Sequence, residues 1–168
     1  GLNLLDFGCV RVFPPSFVQG VVELYRGLQA DDRDRIVSAY EIWGFKGLNN
    51  ELIDILNVWA RFIYGPLLTD KVMSISDGSG SAAQYGRQQA FAVHTQLKEK
   101  GPVRVPREFV FMDRAAIGLG SVFIHLRAEM NFHQLFETAL RSHELRSVGD
   151  RQAKALQAAG VAPAIEAV

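Results

Sequence analysis

The sequence predicts a mainly α-helical fold: one short N-terminal β-strand followed by about six helices. Two observations carry this. Apolar residues recur at helical spacing along most of the chain. Proline and glycine pairs (Pro14-Pro15, Gly65-Pro66, Gly101-Pro102) divide it into segments of helix length. At 168 residues the chain is one domain's worth of material, with no internal repeat and no second domain.

Residues 2–6 (LNLLD) read as a short buried strand, and Gly8 supports a turn after it. Leu2, Leu4 and Leu5 read as a strand already under way, so the sequence is expected to be a piece of a longer protein. A helix over roughly 16–28 follows, with Ser16 as cap or Pro15 in its first turn. Its apolar face is Phe17, Val18, Val21, Val22, Tyr25 and Leu28. A second helix spans roughly 32–43; Asp31 and Asp34 make its first turn acidic, which suits the helix dipole, and Gly44 can end it. Ile36, Val37, Tyr40 and Trp43 form its inner face. The third, roughly 50–64, is capped by Asn49 or Asn50. Its apolar residues cover more than one face, so it should be largely buried, and Gly65-Pro66 should stop it.

Ser74 to Ser81 (SISDGSGS) is a loop by composition. A fourth helix, roughly 83–99, ends at Gly101-Pro102, and Pro106 opens a long one. There Phe109, Met112, Ala116, Leu119, Phe123, Leu126 and Met130 alternate spacings of three and four, which predicts one continuous packed stripe, bent at Gly118 and Gly120. Asn131 can cap a last helix over 132–146. The Ala-rich remainder, 147–168, reads as a loosely ordered tail.

Lysine plus arginine and aspartate plus glutamate both number 18, so the net charge is zero and no nucleic-acid footprint is present. A single cysteine excludes an internal disulfide and a cysteine-based zinc cluster. No signal-peptide pattern is visible. The most apolar stretch, Phe109 to Leu126, contains Asp113, Arg114 and His125, which argues against a membrane span. A cytoplasmic location is expected, with at most peripheral membrane contact.

Chemistry concentrates in Asp6-Phe7-Gly8, directly after the apolar run. In kinase-like sites an aspartate at a strand end holds Mg²⁺ against nucleotide phosphates, because Mg²⁺ takes hard anionic oxygens and usually only one or two carboxylates. Phe7 can pack inward and fix the carboxylate's direction, while Gly8 lets the chain turn away without a side chain. The bland alternative is a strand that ends in an Asp-Phe-Gly turn.

The longer context, LNLLDFGCVRVFPPSFVQGVVELYRGLQADDRDR, resembles the AarF/UbiB family of atypical kinase-like proteins, also called coenzyme Q8-type. The matching positions are Leu5, Asp6, Phe7, Gly8, Val10, Arg11, Asp34-Arg35 and Gly44-Phe45. A second block, PREFVFMDRAAIGLGSVFIHLRAEMNFHQLFE, is similar to the family's closing segment through Arg114, Gly118-Leu119, Leu126, Ala128 and Asn131. The resemblance implies that residues 1–146 are the helical C-lobe of a kinase-like domain. It implies a parent that uses Mg²⁺ and ATP as a transferase or ATPase linked to ubiquinone biosynthesis or lipid handling. Asp6 would be the metal ligand, and Asp6, Phe7 and Gly8 the cofactor-binding residues. The implied partners are the missing N-terminal part of the domain and lipid or quinone-pathway components.

The family's Ala-rich phosphate loop, its K-x-G-Q element, its phosphate-pairing lysine and its H-x-D-x-H-x-G-N catalytic loop do not occur in this sequence. Phosphoryl transfer works by positioning and charge neutralisation, which one carboxylate cannot supply. The chain alone should therefore be inactive, with no catalytic residue of its own and no tightly bound cofactor. Gly8 and Pro15 also leave no room for the activation loop of an ordinary protein kinase. The alternative is a non-catalytic helical interaction or scaffold domain.

Other motifs have bland readings. Gly118-Leu119-Gly120 lies inside a helical stripe, so close packing or a bend is expected rather than a dinucleotide loop. Gly78-Ser79-Gly80-Ser81 lacks a phosphate-loop lysine and reads as a connector. His94, His125, His133 and His143 lack metal-ligand spacing, and His125 with Glu129 reads as a surface pair. Cys9 reads as a small packing residue. Asp113 and Arg114 fit either a buried network that sets helix register or a polar helix edge. The locally basic stretch 81–107 is a solvated face by default, with an anionic membrane surface as the lesser alternative.

Overall fold

The computed structural model describes residues 11–75, Thr95, 106–141 and 144–162. Six helices and one two-stranded sheet make up the described chain, which is mainly helical. The expected strand at 2–6 lies outside the described residues, as does the expected helix at 83–99 apart from Thr95, which is helical.

Helix α1, Pro15–Ala30, has proline in its first turn, where the missing N–H would have had no partner in any case. Asp31, in the left-handed region at φ 51°, closes it. Helix α2, Arg33–Ile42, is capped by Asp32, whose carboxylate accepts from Arg35 N at 3.1 Å. Close contact between α1 and α2 depends on two glycines. A Cβ on Gly20 would sit 2.5 Å from Trp43 Nε1, and one on Gly27 would sit 2.8 Å from Ile36 Cγ1.

Asn49 caps α3, Asn50–Leu68, by accepting from Leu52 N at 2.9 Å. The expected stop at Gly65-Pro66 does not occur, and the helix runs on to Leu68. Pro66 removes one backbone donor near the end of the helix. Packing of Leu67 and Leu68 against the core offsets that loss, and the His133 imidazole lies 2.7 Å from the Leu67 carbonyl.

The core is an aromatic cluster between α1, α2, α3 and the start of α4, Arg107–His125. Phe109 is its keystone, with ring centroids 4.5 Å from Trp59, 5.2 Å from Phe45 and 5.5 Å from Trp43. Each buried aromatic polar tip finds an acceptor, as burial requires. Trp43 Nε1 donates to Phe17 O at 3.0 Å, Tyr40 O–H to Asn57 Oδ1 at 2.9 Å, and Trp59 Nε1 to Asp113 Oδ1 at 2.7 Å.

The continuous stripe expected on α4 is interrupted. Phe109 and Met112 reach the core and Phe123 meets Phe132 across 5.6 Å, but Leu119 is 57% exposed and Leu126 71% exposed. The helix ends at His125, and Arg127 reverses the chain at φ 49°. Met130 therefore belongs to strand β2, Glu129–Met130, which pairs antiparallel with β1, Met73–Ser74, in the register Met73 to Met130.

Helix α5, Phe132–Arg141, begins as expected at Asn131, whose side-chain oxygen accepts from Gln134 N at 2.9 Å. It ends earlier than 146. The stretch read as a tail forms helix α6, Leu145–Ala158, over residues where the sequence shows weak periodicity. It lies against the start of α1, where a Cβ on Gly149 would be 3.7 Å from Pro15 Cγ. No described helix is long and apolar enough to cross a membrane.

Candidate functional site

Asp6, Phe7, Gly8, Cys9 and Val10 lie outside the described residues, which begin at Arg11. Five peptide units separate Asp6 from Arg11, so covalent reach alone keeps their Cα atoms within about 18 Å.

The end of the bundle where α1 and α4 begin has a definite electrostatic build. The Arg11 guanidinium pairs with Glu108 in the first turn of α4 and lies over the Phe111 ring at 5.1 Å from its centroid. Arg107 approaches the same ring at 5.6 Å. Glu108 gains twice, from the helix N-terminus and from the ion pair. Two residues on, the Phe13 ring stacks on Phe17 at 5.1 Å, and the Phe13 carbonyl accepts from Gln152 Nε2 on α6 at 2.8 Å. The segment leading out of the Asp6-Phe7-Gly8 motif is thus bound to α4, α1 and α6 within three residues.

The other positions of the resemblance have structural tasks. Arg35 pairs with Glu23 across α1 and α2. Gly44, at φ 94°, turns the chain so that Phe45 enters the aromatic core. Asn131 caps α5 and donates from Nδ2 to Asp70 Oδ1 at 2.7 Å. Together with the Gln134 amide it holds the Asp70 carboxyl below its ordinary range. Asp34, Arg114 and Leu126 are exposed. Between the two readings of Asp113 and Arg114 the structure divides the pair. Asp113 reaches into the network through Trp59, and Arg114 lies on the outer edge of the helix. Burial pushes the Asp113 carboxyl above its ordinary range, against the Trp59 hydrogen bond.

A second polar cluster was not visible in the sequence. Tyr25, Arg26 and Gln29 on α1 meet His133 and Glu137 on α5. Arg26 Nη1 and Nη2 donate to the two Glu137 oxygens at 2.7 and 3.0 Å. Tyr25 O–H donates to Glu137 Oε1 at 2.7 Å, and Gln29 Nε2 donates to the Tyr25 oxygen at 2.9 Å. The hydrogen bonds from Arg26 and Tyr25 bring the Glu137 carboxyl down to about 2. Burial and the Glu137 carboxylate push the Tyr25 hydroxyl far upward. Every group in this cluster is satisfied by its neighbours, so it acts as a latch between helices. Its members are separated by more than a hundred positions, and only the i, i+4 spacing of Tyr25 and Gln29, and of His133 and Glu137, hinted at shared faces.

Among the described residues no group of three or more His, Cys, Asp or Glu side chains gathers in a way that could hold a metal ion. His125 Nδ1 lies 3.1 Å from the carbonyl of Ser121 within its own helix. His94 and His143 lie outside the described residues. The chain matches no protein-family model, no curated protein and no solved structure.

Proposed function

We propose that this chain is the helical C-lobe portion of an AarF/UbiB-type kinase-like protein, with Asp6 the magnesium ligand of the intact parent. The observation that supports the reading most is the coincidence of the Asp6-Phe7-Gly8 block with a helical bundle that starts almost at once. Helix α1 opens at Pro15, so only Cys9–Pro14 lie between Gly8 and the first helix. Such a short connection leaves no peptide-docking platform and suits a small-molecule or lipid acceptor, or ATP hydrolysis coupled to a conformational change.

In the parent, magnesium would neutralise phosphate charge during phosphoryl transfer. This chain's part is narrower. Asp6 would supply one carboxylate, Phe7 would pack inward and Gly8 would let the chain turn away, while the helices that follow hold Arg11 and Phe13. The resemblance places the parent in ubiquinone biosynthesis or lipid handling, in the cytoplasm or at a membrane surface reached through the rest of the protein. Asp6→Asn in the intact parent is expected to abolish ATP hydrolysis with the fold retained. Unchanged hydrolysis would remove Asp6 from the site. The isolated chain is expected to bind MgATP too weakly for calorimetry, and a tight isotherm would contradict its reading as half of a site.

One observation favours the second reading, a helical interaction domain: α4 leaves Leu119, Val122 and Leu126 exposed along one side. The coding sequence upstream decides between the two. An H-x-D-x-H-x-G-N loop within a few tens of residues of Gly1 supports the kinase-like parent, and its absence supports the scaffold.

A further inference from the structure

We infer that the outer face of α4 docks an acidic amphipathic helix of a partner protein, a role independent of whether Asp6 holds a metal. Two apolar stripes run along this helix. Phe109 and Met112 belong to the one that meets the core. Ala115, Leu119, Val122 and Leu126 form the other, at spacings of four, three and four, which places them on one side of the helix and its C-cap. That side is open: Leu119 is 57% exposed, Val122 51% and Leu126 71%. Gly118 lies beside the stripe with nothing within 4 Å of an added Cβ, so a second backbone can come close there. Anchors at i, i+3 and i+7 are the pattern by which one helix seats its side chains against another.

Charge selects the occupant. Between Phe109 and Ala128 the sequence holds one acid, Asp113, and its Oδ1 is engaged inward, accepting from Trp59 Nε1 at 2.7 Å. The arginines of the same stretch, Arg114 and Arg127, are exposed and form no ion pair with a described residue. An apolar stripe edged by guanidinium groups, with no free carboxylate beside it, is complemented by carboxylates. A second copy of the chain would bring the same cations to the contact, because a two-fold interface uses one patch on both sides. An anionic bilayer fits less well. Recognition of that kind takes clusters of about 4–8 lysines and arginines. Membrane interfaces also favour tryptophan and tyrosine anchors, whereas every described tryptophan and tyrosine is buried. The zero net charge of the chain supplies no long-range attraction to such a surface.

The experiment uses the whole chain and two fluorescent synthetic helical peptides of about five turns. Both carry leucine at i, i+3 and i+7; one has glutamate at the flanking positions and the other lysine. Anisotropy titrations are expected to show the glutamate peptide binding at least about 10-fold more tightly than the lysine peptide. Leu119→Ser combined with Leu126→Ser should weaken the glutamate peptide by about 10-fold. The thermal midpoint should hold, since both side chains are exposed. Arg114→Glu leaves the aliphatic stripe intact and should erase the preference between the peptides, which tests the face even where the double variant does not fold. Equal binding of the two peptides to the parent chain would overturn the docking site. The same holds for binding that neither variant changes, and for no binding at all, as when residues 76–105 of the chain itself cover the face. A dimer in sedimentation equilibrium that Leu119→Ser dissociates would assign the face to a second copy and overturn it. Co-sedimentation with phosphatidylglycerol vesicles that the same variants abolish would assign it to a membrane and overturn it likewise.

Discussion

Two carboxyls of this chain respond to pH in opposite senses. Glu137 has its folded value lowered to about 2 by hydrogen bonds from Arg26 and Tyr25. Its contribution is fully present above the ordinary glutamate range near ~4.3 and is lost as pH falls from there through 2. Glu137→Gln should therefore flatten the acid limb of the stability curve across that window in urea titrations. It should lower stability by about 1 kcal/mol at pH 7, the upper range for a partly solvated pair. Asp113 runs the other way. Its folded value is raised by burial, so ionisation opposes folding and stability declines as pH rises above ~3.9 through the raised value. Asp113→Asn keeps an acceptor for Trp59 Nε1 without the charge and is expected to raise the thermal midpoint at pH 7. Asp113→Leu strands the indole N–H and should cost about 1–3 kcal/mol. A midpoint that falls equally in both variants would show that the charge itself is favourable at this position.

At the scale of elements, the four glycines of α1 and α4 separate into two kinds. Gly20 and Gly27 stand where another element crosses, and a methyl group at Gly20 would collide with the Trp43 indole. Gly20→Ala should therefore cost about 1–3 kcal/mol through overpacking and the disturbed Trp43–Phe17 bond. Gly118 and Gly120 meet nothing within 4 Å of an added Cβ. Gly118→Ala should stabilise by up to ~1 kcal/mol, since only helix propensity changes. Denaturant midpoints for the two variants should move in opposite directions. Sequence spacing alone could not sort these glycines. The 3,4 rhythm on α4 names a helix face but not whether a neighbour covers it. The same limit explains α3, whose Gly65-Pro66 pair carries a local stop signal that the packing of two further leucines overrides.

Across the whole molecule, what the sequence by itself determined is mostly local. Asn49 and Asn131 set helix starts through bonds that span three residues, Pro15 sets one by its fixed φ, and those starts appear where the pattern puts them. The mainly helical class follows from the same short-range rules. Tertiary structure alone decided which helices meet and which polar groups are shared. The Arg26–Glu137 latch, the Trp59–Asp113 bond and the hold of Gln152 on Phe13 each join residues dozens to more than a hundred positions apart. No propensity or period encodes such pairs, because their free energy arises only after the chain has folded and removed both partners from water. The seat of Arg11 and Phe13 belongs to this second kind, since Glu108, Phe17 and Gln152 come from three different helices.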